Sequence, residues 1–178
     1  MQEEYPFSKA HLARNTIIVV LLLGVFPLAI LAAAKIPPAG MISFIGAVLV
    51  FQPFAAPVGL VLNVPPAAIA GTMFSLGLGA IVTIHTLCDL FADRWERLSG
   101  AIRKVQEKAG NSAGFKKYGI LMFFQFIWVP GLGLYGCALI AWLFAWRRPH
   151  QIAVLVAAWM SAVIIVLLFA LGIASAFV

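Results

Sequence analysis

"KKYGILMFFQFIWVPGLGLYGCALIAWLFAWRRP", residues 116–149, decides how this chain is built. Two basic residues stand at each end, and the 29 residues between them, 118–146, carry no charge. Pro130, Gly131 and Gly133 fall near the middle. Such a stretch either crosses a membrane once as a kinked helix or goes in and comes back out. Its arms, 118–129 and 134–146, hold 12 and 13 residues. At 1.5 Å per residue each arm spans roughly 18–20 Å, more than half of a hydrocarbon core but less than all of it. Pro130 removes a backbone donor, and the glycines permit a turn.

A membrane setting follows from composition. Of 178 residues, 63% are hydrophobic and 10% charged, with a mean hydropathy of +1.05. Soluble domains are rarely more than about half apolar. Uncharged runs cover 15–34, 36–88, 118–146 and 151–178. At roughly 20 residues per spanning helix, these hold four or five membrane segments and leave no room for a second domain. The first of them resembles a signal peptide, with Lys9 and Arg14 ahead of an apolar core and Ala32-Ala33-Ala34 behind it. That core is long for a leader, so it reads as a retained segment.

Charge placement separates the two readings of 118–146, because cytoplasmic loops carry the Lys and Arg excess. The loop 92–117 holds Arg94, Arg97, Arg103, Lys104, Lys108, Lys116 and Lys117, and belongs inside. Five plain crossings (16–34, 41–63, 67–91, 118–146, 151–176) would leave Lys9, Arg14, Arg147 and Arg148 outside. If 118–146 returns to the inner face and one earlier segment is also a hairpin, the balance improves. With 16–34 as that hairpin, all twelve Lys and Arg lie inside; with 41–63, only Lys35 lies outside. Gly24 and Pro27 mark the middle of the first, Gln52, Pro53 and Pro57 that of the second. The expectation is an all-α integral membrane protein, one membrane domain over 1–178. It has about three full transmembrane crossings, one or two re-entrant helical hairpins and a cytoplasmic amphipathic helix. Its parts are a cytoplasmic N-terminal segment 1–14, a first helical group 15–91, a basic amphipathic stretch 92–117, the hairpin 118–146 and a final helix 150–176. The N-terminus is expected inside and the C-terminus outside.

Within 92–117, Trp95, Leu98, Ile102, Val105 and Ala109 recur at helical spacing. Arg94, Arg97, Arg103, Lys104 and Lys108 surround that face. A basic amphipathic helix beside membrane spans is expected at anionic lipid headgroups, the alternative being a partner protein. The net charge of +6 belongs there, and no nucleic-acid motif accompanies it. In 67–91, Gly71, Ser75 and Gly79 form a small-residue stripe suited to close helix packing.

Few ionisable groups fall inside the apolar runs. His85 and Asp89, at i and i+4, share one helix face and are candidates for a proton or ion relay. The alternative is that His85 bonds a neighbouring helix and Asp89 marks the membrane edge, paired with Arg94 or Arg97. Gln52 and Gln125 are candidates to line a cavity with the tip residues Pro130, Gly131, Gly133 and Tyr135, or to satisfy broken helix backbone. Cys88 and Cys137 form no metal or disulfide pattern. No metal, cofactor or catalytic set is expected, and the chain does not read as an enzyme.

The run Val129-Pro130-Gly131-Leu132-Gly133-Leu134-Tyr135-Gly136-Cys137-Ala138-Leu139-Ile140-Ala141, followed by a basic turn and a final helix, resembles the small multidrug export proteins, distant relatives of the DedA/VTT membrane proteins. The resemblance is best over 118–175. Gly24 and Pro27 match the family's other hairpin tip, whereas Leu21 and Leu23 stand where the family has Glu and Arg. The resemblance implies membrane transport or lipid translocation at a prokaryotic inner membrane, with anionic lipids as partners. A non-catalytic subunit or assembly factor, in a homo-oligomer or a larger membrane complex, is the other expectation.

Overall fold

The computed structural model describes residues 9–94, 123–129, 133–143 and 148–176. Those residues are helical, with short turns and no strand among them. Four helical stretches are long and apolar enough to cross a membrane: Leu12–Ala33, Pro38–Val61, Pro66–Phe91 and Pro149–Gly172. Of the amphipathic stretch expected at 92–117, residues 95–117 lie outside the described residues, as do Pro130 and Gly131.

The first stretch joins α1 (Lys9–Val20) to α2 (Phe26–Ala33) through a π-helical turn, Leu21–Val25. Backbone angles stay helical at Val20, Val25 and Phe26, so the chain does not reverse within 16–34. Pro27 causes the π turn, because it has no N–H to give to the preceding turn. The carbonyl of Leu22 accepts instead from the Ser75 hydroxyl, at 2.7 Å, on another helix. Of the two segments 16–34 and 41–63, the first therefore runs on without turning back.

There α3 (Pro38–Phe51) stops at Gln52, whose φ of 57° breaks the helix. A 3₁₀ turn, Gln52–Ala55, leads into α4 (Ala56–Val61). Phe44 and Gly59 are fifteen residues apart, which an unbroken helix would separate by about 22 Å. Yet a Cβ added to Gly59 would sit 2.8 Å from the Phe44 ring. The chain thus doubles back around Gln52, and Gly59 is what lets the two arms close.

The ends of α2 and α4 are alike. Lys35 and Asn63 both take left-handed backbone angles, φ 59° and 58°. Ile36 N–H then donates to Leu31 O and Lys35 N–H to Ala32 O; Val64 N–H donates to Gly59 O and Asn63 N–H to Leu60 O. Both are Schellman closures, with Ile36 and Val64 buried behind the turn.

The long helix α5 (Pro66–Arg94) is the axis of the fold and touches every other long element. Its small-residue stripe faces α1–α2: Gly71 meets Ile30, Ser75 bonds Leu22, and Gly79 meets Leu22 and Leu23. Another face carries Gly77, which makes room for the indole of Trp159 on the last helix, α7 (Arg148–Ala176). Trp159 Nε1 donates to Met73 O at 2.9 Å. The short apolar helix α6 (Gly133–Leu143) fills the space between α5 and α7.

Candidate functional site

Four polar side chains, Gln52, His85, Asp89 and Gln151, bond to α6. Phe123 and Cys137 are fourteen residues apart, yet Cys137 Sγ lies 4.0 Å from Phe123 O. The strand of chain before the Pro130 region and the helix after it therefore lie side by side. Gly133 fits there because a Cβ would collide with the carbonyl group of Ile127.

His85 Nε2 bonds Ala138 O at 3.2 Å, and Trp142 Nε1 donates to Asp89 Oδ1 at 2.8 Å. A carbonyl only accepts, so this bond requires a proton on His85 Nε2. Both members of the pair advance by four residues on both helices, so α5 and α6 run parallel. The same offset sets Leu134 level with Ile81, near the middle of α5. His85 and Asp89 thus brace α6 one and two turns beyond its start. The sequence had left open which way their shared face points; it points at α6.

At its start, α6 meets the tip of the α3–α4 reversal. Leu134 N–H donates to Gln52 Oε1 at 3.0 Å, with Gln52 wholly buried. The Tyr135 hydroxyl donates to Leu49 O at 2.7 Å, in the last turn of α3. Phe54 and Trp128 pack edge to face, with ring centroids 6.1 Å apart. The first N–H groups and last carbonyls of broken helices need partners when no water is at hand. Here each tip supplies partners to the other.

Gln52 and Tyr135 both bond across from one tip to the other, beside Gly133 at the start of α6. Gln125 does not join them, since its side chain is exposed. Only the backbone of Arg94 is described, at the end of α5, while Arg97, Arg103, Lys104 and Lys108 lie outside the described residues. Sequence reasoning passed over Gln151, Trp142 and Asn15. Gln151 Nε2 donates to Ala141 O at 2.9 Å and satisfies the last turn of α6, and Asn15 Nδ2 lies 3.4 Å from Thr86 Oγ1. Among the described residues, the buried side-chain atoms Gln52 Nε2 and Thr72 Oγ1 have no partner. No cluster of three or more metal-ligating side chains occurs among the described residues. No family model, curated protein or solved structure matches this chain.

Proposed function

We propose that this chain is a membrane transport or lipid-translocation protein of the DedA-like, small-multidrug-export-like kind, working through two re-entrant hairpins that meet at mid-membrane. The observation that carries the reading is the junction of Gln52 with Leu134 and of Tyr135 with Leu49, level with the middle of α5. Irregular backbone at that depth survives only where protein or a polar path satisfies it. Transporters place their substrate sites at such broken helices.

Contacts and charge together support one topology. Asn15 lies by Thr86 and Gly71 by Ile30, so α1–α2 runs antiparallel to α5. The N-terminus, the end of α5 and the end of α6 then share the cytoplasmic face, while Lys35 and Asn63 turn at the outer face. One hairpin enters from outside (38–61), the other from inside (118–146). Eleven of twelve basic residues lie inside, with Lys35 outside. Arg94, Arg97, Arg103, Lys104 and Lys108 hold the inner face at anionic headgroups, worth about 1 kcal/mol each near such a surface.

Topology is tested with single cysteines in a chain whose Cys88 and Cys137 are replaced by alanine. Positions 117 and 148 react from the same side, and position 35 from the opposite one. Reaction of 117 and 148 from opposite sides removes the inner hairpin. Function is tested in vesicles with a fluorescent phosphatidylglycerol and with entrapped ethidium. Flux of either above protein-free vesicles, lost in the Gln52→Met, Tyr135→Phe double variant, supports the reading.

A second reading is a non-transporting subunit or assembly factor. It draws on the way His85 and Asp89 are spent on bonds to α6 rather than left facing a path. Purification with a stoichiometric partner and no flux of either probe favours it.

A further inference from the structure

We propose that the meeting point of the two tips is a binding site for a small, singly charged anion, held by dipoles without a counter-charge. Three features carry this. The amide of Gln52 cannot be turned round, because Leu134 N–H only donates and must face Oε1, 3.0 Å away. Gln52 Nε2 is therefore a donor, wholly buried and without an acceptor. It stands beside the N-terminus of α6, an 11-residue helix whose dipole presents partial positive charge at this point.

The ligand class follows from what surrounds these donors. No Lys or Arg occurs in 36–93 or 118–146, so nothing there balances a doubly charged phosphate. Asp89, the nearest acidic residue along α5, bonds Trp142 about two turns from the start of α6, too far to repel a guest strongly. Helix ends and neutral donors suit a weakly hydrated monoanion, whose single charge they can meet at modest desolvation cost. On binding, Leu134 N–H keeps its bond to Gln52 Oε1, and the ion accepts from Nε2, which gains the acceptor it lacks.

This inference names a substrate class for the tip junction and rests on the transport reading only for what the site is for. Its test is a binding measurement, separate from flux. The full chain, purified in a neutral detergent, is melted at constant ionic strength while sodium gluconate is exchanged for sodium bromide. Bromide raises the melting temperature by a few degrees and the rise saturates, as binding to the folded state requires. The response disappears in Gln52→Met. A wild-type chain that melts alike in both salts overturns the proposal, as does a Gln52→Met chain that responds like wild type. Should that variant not fold, crystals soaked in bromide decide through anomalous scattering. A peak within hydrogen-bonding reach of Gln52 Nε2 supports the site, and a chain with no peak there refutes it. A saturable bromide response without flux of any probe fails the transport reading and upholds the site, whereas flux without a bromide response fails the site alone.

Discussion

Two prolines near the middle of apolar runs have opposite consequences in this chain. Pro27 sits in a helix that carries on, through a π turn, from Leu12 to Ala33. Pro53 follows a helix that stops and reverses. Proline takes away one donor in both places, so proline does not make the difference. The residue before Pro53 is Gln52, with φ 57°, and its side chain reaches across to cap another helix. The residue before Pro27 keeps helical angles, and the carbonyl left over is taken by Ser75 from outside. A break in a membrane helix goes where its freed backbone groups find partners. Beside Pro27 a neighbour brings one hydroxyl to one carbonyl, and the helix can stay. At Gln52 and Gly133, two ends need several partners, and the two tips satisfy each other.

The largest effect is expected where a tip depends on bare backbone. Alanine at Gly133 puts a methyl group into the Ile127 carbonyl, 2.8 Å from its carbon, and main chain cannot rotate away as a side chain can. Gly133→Ala should destabilise the fold by about 1–3 kcal/mol or more, as overpacking does. It should also loosen the Gln52–Leu134 contact. Thermal unfolding in detergent measures the first, and protection of the Leu134 amide against hydrogen exchange the second. A variant as stable as the parent would mean that the tip has slack, and would weaken the contrast with Pro27.

Next comes the support of the π turn. Ser75→Ala leaves the half-buried Leu22 O without its outside donor, where a fully buried group would lose about 1–3 kcal/mol. The lower end is expected, because a carbonyl has a second lone pair and the turn can relax. Ser75→Gly, which also keeps the close packing, should cost more, since Gly adds roughly 0.5–1 kcal/mol in a helix interior. If Ser75→Ala melts at the parent temperature, the π turn supports itself and Pro27 needs no neighbour.

These residues also mark how far the sequence could be read. A reversal within 118–146 was expected from charge counting, which acts over whole loops and needs no knowledge of contacts; among the described residues, 123–129 and α6 lie side by side. The reversal at 41–63 was not separable from 16–34, since both carry glycine or proline near their centres. What separates them is a backbone angle at Gln52 and a ring lying over Gly59, and both are consequences of packing. His85 and Asp89 could be set on one face by spacing, but spacing does not say which helix that face meets. Gln151 and Trp142 were passed over for a related reason. Their partners are on another helix, and a carbonyl short of a partner leaves no trace in sequence. Ser75 was read as part of a packing stripe, which it is. The mid-span proline in the first helix was the available hint that the stripe also had to bring a donor.

The smallest effect, and the one of opposite sign, belongs to the glycine nearest Pro27. Gly24 lies inside the π turn, and a Cβ built on it meets nothing within 4 Å. Its backbone is part of a helix that continues on both sides, so no left-handed angle is being protected. Alanine there should be neutral or stabilising by up to about 0.5–1 kcal/mol, the usual gain over glycine in a helix interior. Unfolding in detergent should therefore show Gly24→Ala melting at or slightly above the parent, against a clear loss for Gly133→Ala. A loss at Gly24 in the membrane but not in detergent would have a definite meaning. Something present only in the bilayer, such as a second copy of the chain or a lipid seated in the π turn, would be pressing on the space that glycine leaves open. The mid-helix break at Pro27 would then be a surface to be covered, as the tips are covered by one another.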